Sequence, residues 1–415
     1  MSNKIDIWVF ADWIGLTEAK CIGILSAQTT KGRKSFSFSY NEDWLASNKQ
    51  MILDPDISWF KGGQYPYNKE NFGMFTDSMP DTWGRTLMKR REIQKAKAEN
   101  RSVKTLYELD FLLGVQDESR MGALRYKLDP NGPFLDNDPI SPTPPWTSIR
   151  EMQYGINKLE SNIDNDETNK WLNVLMAPGS SLGGARPKAN VLDEDGNIWI
   201  AKFPSKNDDI DKAAWEYLAY KLALESGVIM SECRIEKVSG EFHTFFTKRF
   251  DRKKSKRIHF SSAMTMIGKN EDLIRDNVPS YLDLVEFIQF SCVNIDEDLS
   301  QLWRRIIFNI FISNTDDHLR NHGFILTASG WILSPAYDLN PSIDKDGLSL
   351  NIDSDNNDLS LELAKSVGIY FRLNEEKMNQ IIDEVKSAVS SWKEIAKQIG
   401  ISRQQQLYME KAFKI

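Results

Sequence analysis

The spacing of apolar residues changes along the chain, and this change limits the folds that the chain can adopt. Up to about residue 58, apolar and polar residues alternate, as in IDIWVF, CIGIL and SFSFSY. Alternation puts one face of a strand in a core, so these stretches predict antiparallel β-strands. From Asp77 to Leu113 the apolar positions recur three and four residues apart, which predicts helices. We therefore expect a β-rich unit first, with helices after it.

The pattern changes again in the middle of the chain. Residues 127–146 are rich in proline, glycine, aspartate and asparagine, which favours an exposed connection. After this connection we predict a helix over about 148–176, a glycine-containing loop over 177–187, strands near 188–193 and 197–203, and a helix over about 211–226. Beyond about residue 280 the pattern is mostly helical. A glycine loop, two strands and a helix are typical of the start of a nucleotide-binding lobe.

Composition excludes several classes of protein. With 415 residues the chain is long enough for two or three domains, each with its own core. No stretch approaches the ~18 consecutive apolar residues of a membrane helix, and the first residues lack the pattern of a secretory signal. A net charge of −7 argues against a protein that coats nucleic acid along its whole length. We expect a cytoplasmic protein that does not contact membranes.

Cysteine and histidine are too sparse for a thiolate or imidazole metal site. Cys21, Cys233 and Cys292 lie far apart, so neither a disulfide framework nor a CxxC zinc site is encoded. Of the four histidines, only His318 and His322 are close together in the sequence. Any metal is therefore expected on oxygen ligands.

The strongest local signal is the stretch NTDDHLRN at residues 314–321, directly after the apolar segment IIFNIFIS. Asp316 and Asn321 have the spacing of the aspartate and asparagine in a kinase catalytic loop, where one accepts a proton and the other binds magnesium. After a short strand-like stretch, WILSPAYD supplies Asp338, a second candidate magnesium ligand. The alternative is an Asx turn at a helix end, and His318 is either a general base or a residue that structures the loop.

A second signal is the glycine loop PGSSLGGARPK at residues 178–188. Its glycines would let backbone N–H groups approach phosphate, but Ala185-Arg186 stands where a Walker loop needs Lys-Ser/Thr. Lys202 follows on a short apolar strand, as does the lysine that contacts the α- and β-phosphates in kinases. Glu216, on the next predicted helix, is either its ion-pair partner or an ordinary helix-surface carboxylate.

Together these stretches resemble the HipA family of serine/threonine kinases. The matching motifs are SSLGGARPKA, IAKFP, WEYLAYKLALESGV, TKRFDR, NTDDHLRNHGF and SPAYDLNPS, in the family's order. In the N-terminal part, FGMFTDSMPDTWGR and LLGVQDESRMGALRY resemble that family's N-terminal module. The similarity therefore covers nearly the whole chain.

The resemblance implies a role for each matching residue. Asp316 would be the catalytic base, Asn321 and Asp338 would hold Mg²⁺, and Lys202 would contact the phosphates of ATP. Ser181 matches the serine that family members autophosphorylate, with Ser180 as an adjacent alternative, and phosphate there would repel ATP. The remaining nucleotide-binding candidates are Gly183, Gly184, Lys248, Phe250 and His318. Arg249 either joins them or only structures the segment between the lobes.

Two departures from the family pattern stand near this site. Lys248 occupies a position where relatives often carry an acidic residue, which puts the adenine contact in doubt. The segment HFSSAMTMIG, residues 259–268, replaces a stretch that is usually more acidic and richer in glutamine. Neither departure removes a core catalytic residue.

The fold class that follows is α+β, with a β-rich and helical N-terminal module and a two-lobed protein-kinase-like domain whose C-terminal lobe is mostly helical. The predicted boundaries are residues 1–126 for the module, 127–146 for the Pro-rich connection, 147–252 for the small lobe and 253–415 for the large lobe.

The resemblance implies an ATP- and Mg²⁺-dependent serine/threonine protein kinase that is the toxin of a toxin–antitoxin pair. Its substrate would be a translation component, such as an aminoacyl-tRNA synthetase. A small helix-turn-helix antitoxin would control it and would supply the contact with DNA. Two alternatives remain, a small-molecule phosphotransferase and a catalytically silent kinase-fold co-repressor that acts with the antitoxin.

Overall fold

The computed structural model of the protein describes residues 3–30, 33–47, 50–137, 143–161, 175, 184, 186–254 and 256–415. The chain divides into two compact units. The first consists of Met1–Lys206 and Asp251–Ser261, and the second consists of Asn207–Phe250 and Ser262–Ile415. No helix in the described part of the chain is long and apolar enough to span a bilayer.

The first unit opens with an antiparallel sheet. Its strands are β1 (Asn3–Ala11), β2 (Lys20–Thr30), β3 (Arg33–Tyr40) and β4 (Leu124–Lys127), in the order β3-β2-β1-β4. Ile7, Leu25 and Phe38 pair in register across β1, β2 and β3, and all three are buried. Gly23 on β2 is required because a Cβ there would lie 2.4 Å from the carbonyl oxygen of Ser39. The alternating pattern thus builds one buried face.

The helices of the first unit are α1 (Glu42–Ser47), α2 (Gly73–Thr76), α3 (Thr82–Ala98), α4 (Glu108–Leu113) and α5 (Ile149–Glu160). The helical pattern predicted from residue 77 to 113 is split because Asn100, just beyond α3, has a φ of 50°. A left-handed residue of this kind ends a helix, and asparagine tolerates the conformation well. The helix predicted over 148–176 begins as expected but ends at Glu160 as α5, with Ser161 in a turn, and residues 162–174 and 176 lie outside the described part of the chain.

A hairpin of β5 (Lys188–Leu192) and β6 (Ile198–Lys202) follows in the first unit. Its turn is held by Asp193, whose carboxylate accepts hydrogen bonds from the Asn197 N–H at 2.7 Å and from the Trp199 indole N–H at 2.8 Å. Lys188 and Lys202 are direct cross-strand partners, so their side chains lie on the same face of the hairpin.

Lys188 forms a buried ion pair with Asp81. Its Nζ lies 3.0 Å from Asp81 Oδ2, and the two side chains are 4% and 2% exposed. Asp81 also caps α3, because its Oδ1 accepts a hydrogen bond from the Gly84 N–H at 2.8 Å. Burial raises the pKa of the Asp81 carboxyl, and the positive charge of Lys188 opposes that rise. One carboxylate therefore serves both the start of α3 and the start of β5.

The second segment of the first unit contains β9 (Arg252–Lys253) and β10 (Lys256–Arg257), and it leads into β11 (His259–Ser262). It is bound to the turn before β4. Asp251 accepts a hydrogen bond from the Gly122 N–H at 2.7 Å, and Arg252 donates to the carbonyl oxygens of Gly122 at 3.0 Å and Arg120 at 2.6 Å. These contacts join two motifs singled out from the sequence, TKRFDR and ESRMGALRY.

The second unit is mostly helical. Its helices are α6 (Lys212–Glu225), α7 (Ala263–Met266), α8 (Glu271–Asp276), α9 (Tyr281–Ser291), α10 (Ile295–Ile312), α11 (Leu361–Ser366), α12 (Glu375–Ser390), α13 (Trp392–Ile399) and α14 (Arg403–Met409). Its strands form two antiparallel pairs, β7 (Cys233–Glu236) with β8 (Thr244–Lys248) and β12 (Gly323–Leu326) with β13 (Trp331–Leu333).

Helix α10 is the central element of this unit, and every residue from 302 to 312 is buried. Its polar side chains connect it to the neighbouring helices. The Trp303 indole N–H donates to the carbonyl oxygen of Ala364 at 3.0 Å. Arg304 donates to the carbonyl oxygen of Ser226, after α6, and to Glu384 on α12, both at 2.7 Å. A helix buried on all sides needs such bonds, because its polar groups have no access to water.

The structure confirms the α+β fold class predicted from the sequence, with a β-rich and helical N-terminal part and a mostly helical C-terminal part. The strands predicted near 188–193 and 197–203 and the helix predicted over 211–226 each lie within one residue of β5, β6 and α6 at either end. The domain boundaries proposed from the sequence stay a prediction.

The ion pair between Asp81 and Lys188 gives a stability prediction. Asp81→Ala removes the carboxylate that pairs with a buried ammonium group, a change that costs about 3–5 kcal/mol in other proteins. We expect a large fall in melting temperature, measured by differential scanning calorimetry. Glu42→Ala is the control, because Glu42 pairs with Lys61 where both side chains are about 70% exposed, and should cost less than ~1 kcal/mol. Equal losses of stability in Asp81→Ala and Glu42→Ala would contradict the conclusion that the buried ion pair stabilises the fold.

Candidate active site

The candidate catalytic loop begins where α10 ends. Ser313 takes a left-handed conformation (φ 49°, ψ 49°), which turns the chain away from the helix axis. Asn314 then folds back on Asn309 of α10, with its backbone N–H on the Asn309 carbonyl at 2.9 Å and its side-chain amide on Asn309 Oδ1 at 3.0 Å. The loop is thus anchored to a buried helix at its first residues.

The two adjacent aspartates of this loop have opposite environments. The side chain of Asp316 is 76% exposed and forms a loose ion pair with Lys345, whose Nζ lies 3.9 Å from Oδ1. The side chain of Asp317 is 1% exposed. Of the two carboxylates, only that of Asp316 is accessible to another molecule, so the geometry separates an accessible aspartate from a buried one.

Asp317 Oδ2 accepts three hydrogen bonds. The donors are the Tyr281 hydroxyl on α9, the Asn309 side-chain amide on α10 at 2.8 Å and His322 Nε2 at 2.8 Å. Burial pushes the pKa of the Asp317 carboxyl up, but His322 and the Tyr281 hydroxyl outweigh this effect, and the pKa is lowered overall. Burial and the neighbouring Asp317 carboxylate raise the pKa of Tyr281 well above its usual value, so this hydroxyl remains a donor.

Asn321 closes the loop on its other side. Its side-chain N–H donates to the carbonyl oxygen of Asp316 at 3.0 Å, and its backbone N–H donates to the His318 carbonyl at 2.7 Å. Because the amide nitrogen is engaged with Asp316, the amide oxygen is the atom that remains to bind a cation. The orientation of Asn321 therefore matches that of a metal ligand.

Asp338 follows β13 in a strained backbone conformation. Its φ is 60°, which is uncommon for a residue with a side chain. Its Oδ1 accepts a hydrogen bond from the Asn340 side-chain amide at 3.3 Å. The preceding residue, Tyr337, donates its hydroxyl to the Arg320 carbonyl at 2.8 Å. The segments that carry Asp338 and Asn321 therefore lie side by side.

The donor set suits magnesium. The described residues contain no group of three or more His, Cys, Asp or Glu side chains that could hold a metal ion by themselves. A carboxylate and an amide oxygen leave most of the coordination shell to water and phosphate, which is how Mg²⁺ is commonly bound at nucleotide sites. Asp338 and Asn321 fit this arrangement.

Other predicted residues of the second unit lie around the same loop and on β8. His318 precedes the 3₁₀ turn Leu319–Asn321, and its Nδ1 is buried with no hydrogen-bond partner among the described residues. Phe250 packs its ring 5.8 Å from that of Tyr337. Lys248, the last residue of β8, donates its backbone N–H to the Glu232 carbonyl at 2.8 Å. Glu216 is buried on α6, so it is not an ordinary surface carboxylate.

The first unit holds the remaining predicted residues. Lys202 is the last residue of β6, directly opposite Lys188. Gly184 has a φ of 92°, and a Cβ at this position would lie 3.3 Å from Lys188 Nζ. Ser180, Ser181 and Gly183 lie outside the described residues.

Sequence reasoning missed the residues that hold the loop in place. Tyr281, Asn309 and His322 were not singled out as partners of Asp317, and Asp317 itself was assigned no role. The available signal was the pair of adjacent aspartates followed by two histidines.

One family model matches the C-terminal half of the chain. The model of the HipA-like C-terminal domain matches residues 180–392. A curated Haemophilus influenzae protein described as "Putative kinase" is 29% identical over an alignment of 179 residues. The match covers 39% of this chain. The match spans 52% of that protein, so this chain spans about half the length of the curated relative.

A solved structure shows the same fold. It is the complex of HipA, HipB and operator DNA from a toxin–antitoxin system of Shewanella oneidensis MR-1. The TM-score is 0.63 with 17% sequence identity, and the match covers 95% of this chain and 93% of that one. The two-lobed kinase-like fold predicted from the sequence is thereby confirmed.

The conformation of Asp338 gives a second prediction. We expect Asp338→Gly to be more stable than Asp338→Ala by about 1 kcal/mol, because a left-handed backbone penalises a Cβ. Asp383 on α12 is the matched control, since it is exposed within a regular helix. At this position we expect the opposite order, with Asp383→Ala more stable than Asp383→Gly by about 1 kcal/mol. The same order at both positions, measured by urea unfolding, would contradict the strain at Asp338.

Proposed function

The chain belongs to the HipA family, and on this premise we propose that it is an ATP-dependent serine/threonine protein kinase, the toxin of a toxin–antitoxin pair. One observation carries the proposal. Asp316 presents an exposed carboxylate, and its own carbonyl oxygen is held at 3.0 Å by Asn321, whose amide oxygen is left for a cation. A base and a magnesium ligand joined in this way are the central parts of a kinase catalytic loop.

The reaction would proceed at Asp316. A serine or threonine hydroxyl of the substrate would pass its proton to the Asp316 carboxylate as its oxygen forms a bond to the γ-phosphorus. The bond from that phosphorus to the β–γ bridging oxygen would break, which releases ADP. Phosphoryl transfer needs mainly positioning and charge neutralisation, so the exposed base and the fixed loop supply what the protein must contribute.

Asn321 and Asp338 would hold Mg²⁺, which neutralises charge on the β- and γ-phosphates when it is bound. Lys202 would contact the α- and β-phosphates from the end of β6. Gly183 and Gly184 would allow the backbone to approach phosphate. Lys248, Phe250 and His318 would line the nucleotide site.

Control of the kinase would come from the glycine loop. We assign Ser181 as the autophosphorylated residue, with Ser180 as the adjacent alternative. A phosphate there carries nearly two negative charges at neutral pH, which would repel the phosphates of ATP. Modification of this loop would therefore switch the kinase off.

The Shewanella HipA was solved with HipB and operator DNA. By analogy, this chain would bind a small helix-turn-helix antitoxin and reach DNA only through it. Its substrate would be a translation component such as an aminoacyl-tRNA synthetase, and it would act in the cytoplasm. The net charge of −7 supports indirect rather than direct binding to DNA.

The test is mass spectrometry after incubation with ATP and Mg²⁺. Wild-type protein should gain phosphate on Ser181 or Ser180. The rate of this autophosphorylation should be lower in Asp316→Asn by at least about 10²-fold, because that variant lacks the base. Asp383→Asn, which removes an exposed carboxylate on α12, should behave like wild type.

An unmodified wild-type protein that neither gains phosphate nor binds ATP would contradict the kinase proposal. It would favour the silent co-repressor instead. Phosphate transfer to a small hydroxyl compound, with none to protein, would favour the small-molecule phosphotransferase.

A further inference from the structure

We propose that Asp317 is a positioning residue for phosphoryl transfer, and that Tyr281 and Asn309 act through it to fix the catalytic base. This inference rests on the proposed function for its kinetic consequence. Its structural part, that the buried carboxylate sets the order of the loop, stands independently of any activity.

The loop is closed by two contacts at different depths. In the outer contact, the Asn321 side-chain amide donates to the Asp316 carbonyl at 3.0 Å. In the inner contact, His322 Nε2 lies 2.8 Å from Asp317 Oδ2. The outer contact joins Asp316 to Asn321, and the inner contact joins the residue that follows each of them, Asp317 to His322. Movement of the inner pair would therefore move the outer pair.

The inner contact is attached to the helical core. Tyr281 at the start of α9 and Asn309 on α10 both donate to the same Asp317 oxygen that His322 contacts. The Asn309 amide also donates to the Tyr281 hydroxyl at 3.3 Å, and its Oδ1 accepts from Asn314. Two helices and both ends of the loop thus meet at one carboxylate.

The energetics favour a single conformation of the loop. Tyr281, Asn309, Asp317 and His322 are all buried, so the Asp317 charge has no access to bulk water. A buried charge that loses its donors is strongly disfavoured, so any loop conformation that breaks these bonds is rarely populated. Asp316 is held through its backbone by Asn321, and because Asn321 precedes His322 and Asp316 precedes Asp317, the position of Asp316 follows from that of the buried pair.

Arg305 on α10 also stabilises the buried charge of Asp317. Its side chain is buried, and Asp317 is among the carboxylates that stabilise its positive charge, although burial still lowers the pKa of Arg305 to about 10. The guanidinium donates to the Ser334 carbonyl at 2.5 Å, immediately after β13 on the way to Asp338. The inner network therefore extends toward the second predicted magnesium ligand as well.

Asp317→Asn is the obvious variant, but the loss of a buried charge with three donors can prevent folding. Tyr281→Phe is milder, because it removes one hydroxyl and keeps the ring. Tyr370→Phe is the matched control, since Tyr370 lies in the same unit with an exposed ring. Two readouts are needed, steady-state kinetics with ATP and Mg²⁺ and hydrogen exchange of residues 313–323.

For Tyr281→Phe we expect kcat to fall about tenfold with the KM for ATP unchanged within about twofold, as for loss of one bond to a charged group. Hydrogen exchange should become faster in residues 313–323 and stay unchanged elsewhere. Tyr370→Phe should match wild type in both readouts. This combination is specific to positioning, because a purely structural role would raise exchange throughout the unit.

The proposal is overturned if Tyr281→Phe keeps the kcat and the loop exchange of wild type. It is also overturned if exchange rises across the whole second unit, which would make the network a general stabiliser. If the wild-type protein transfers no phosphate, the proposed function fails, and hydrogen exchange alone then decides whether Asp317 orders the loop.

Discussion

The second unit depends on a carboxylate that has no access to water. A buried charge must find donors within the protein, and the protein brings them to Asp317 from two helices and from the far end of the loop. This requirement explains why α10 carries a buried asparagine among apolar residues, and why a tyrosine begins α9. The buried carboxylate thereby fixes the backbone next to the exposed carboxylate of Asp316.

The first unit also contains a buried charge that is matched by a partner within the protein. Lys188 begins β5 with a buried side chain, and its charge is matched by Asp81 at the start of α3. The carboxylate lies far away in the sequence, in the MPDTWGR motif, and it caps a helix at the same time. Asp81 thus supports the hairpin that carries Lys202.

The sequence predicted those parts of the structure that depend on local pattern. Alternation located β1, β2 and β3, and helical periodicity located α6 to within one residue at either end. The motifs that contain Asp316, Asn321 and Asp338 led, with others, to a family whose C-terminal domain model then matched residues 180–392. These elements and motifs can be predicted because the residue pattern that identifies each of them lies within a short stretch of the sequence.

The contacts between distant segments could not be predicted in this way. Asp316 and Asp317 are the same residue type in adjacent positions, and only tertiary burial separates the exposed carboxylate from the buried one. Glu216 had an equal chance of being a surface carboxylate, and the structure buries it. The left-handed φ of Asp338 also leaves no trace in composition, because aspartate is common in both turns and sites.

The most direct test of the account is calorimetric titration of MgATP into protein whose glycine-loop serines are unmodified. Wild type and Asp316→Asn should bind the nucleotide with similar affinity, because the base acts on the acceptor hydroxyl. Lys202→Met should bind it at least about tenfold more weakly, since it lacks a phosphate contact. Absence of MgATP binding to wild type would contradict the kinase proposal, and equal binding by Lys202→Met would contradict the phosphate contact assigned to Lys202.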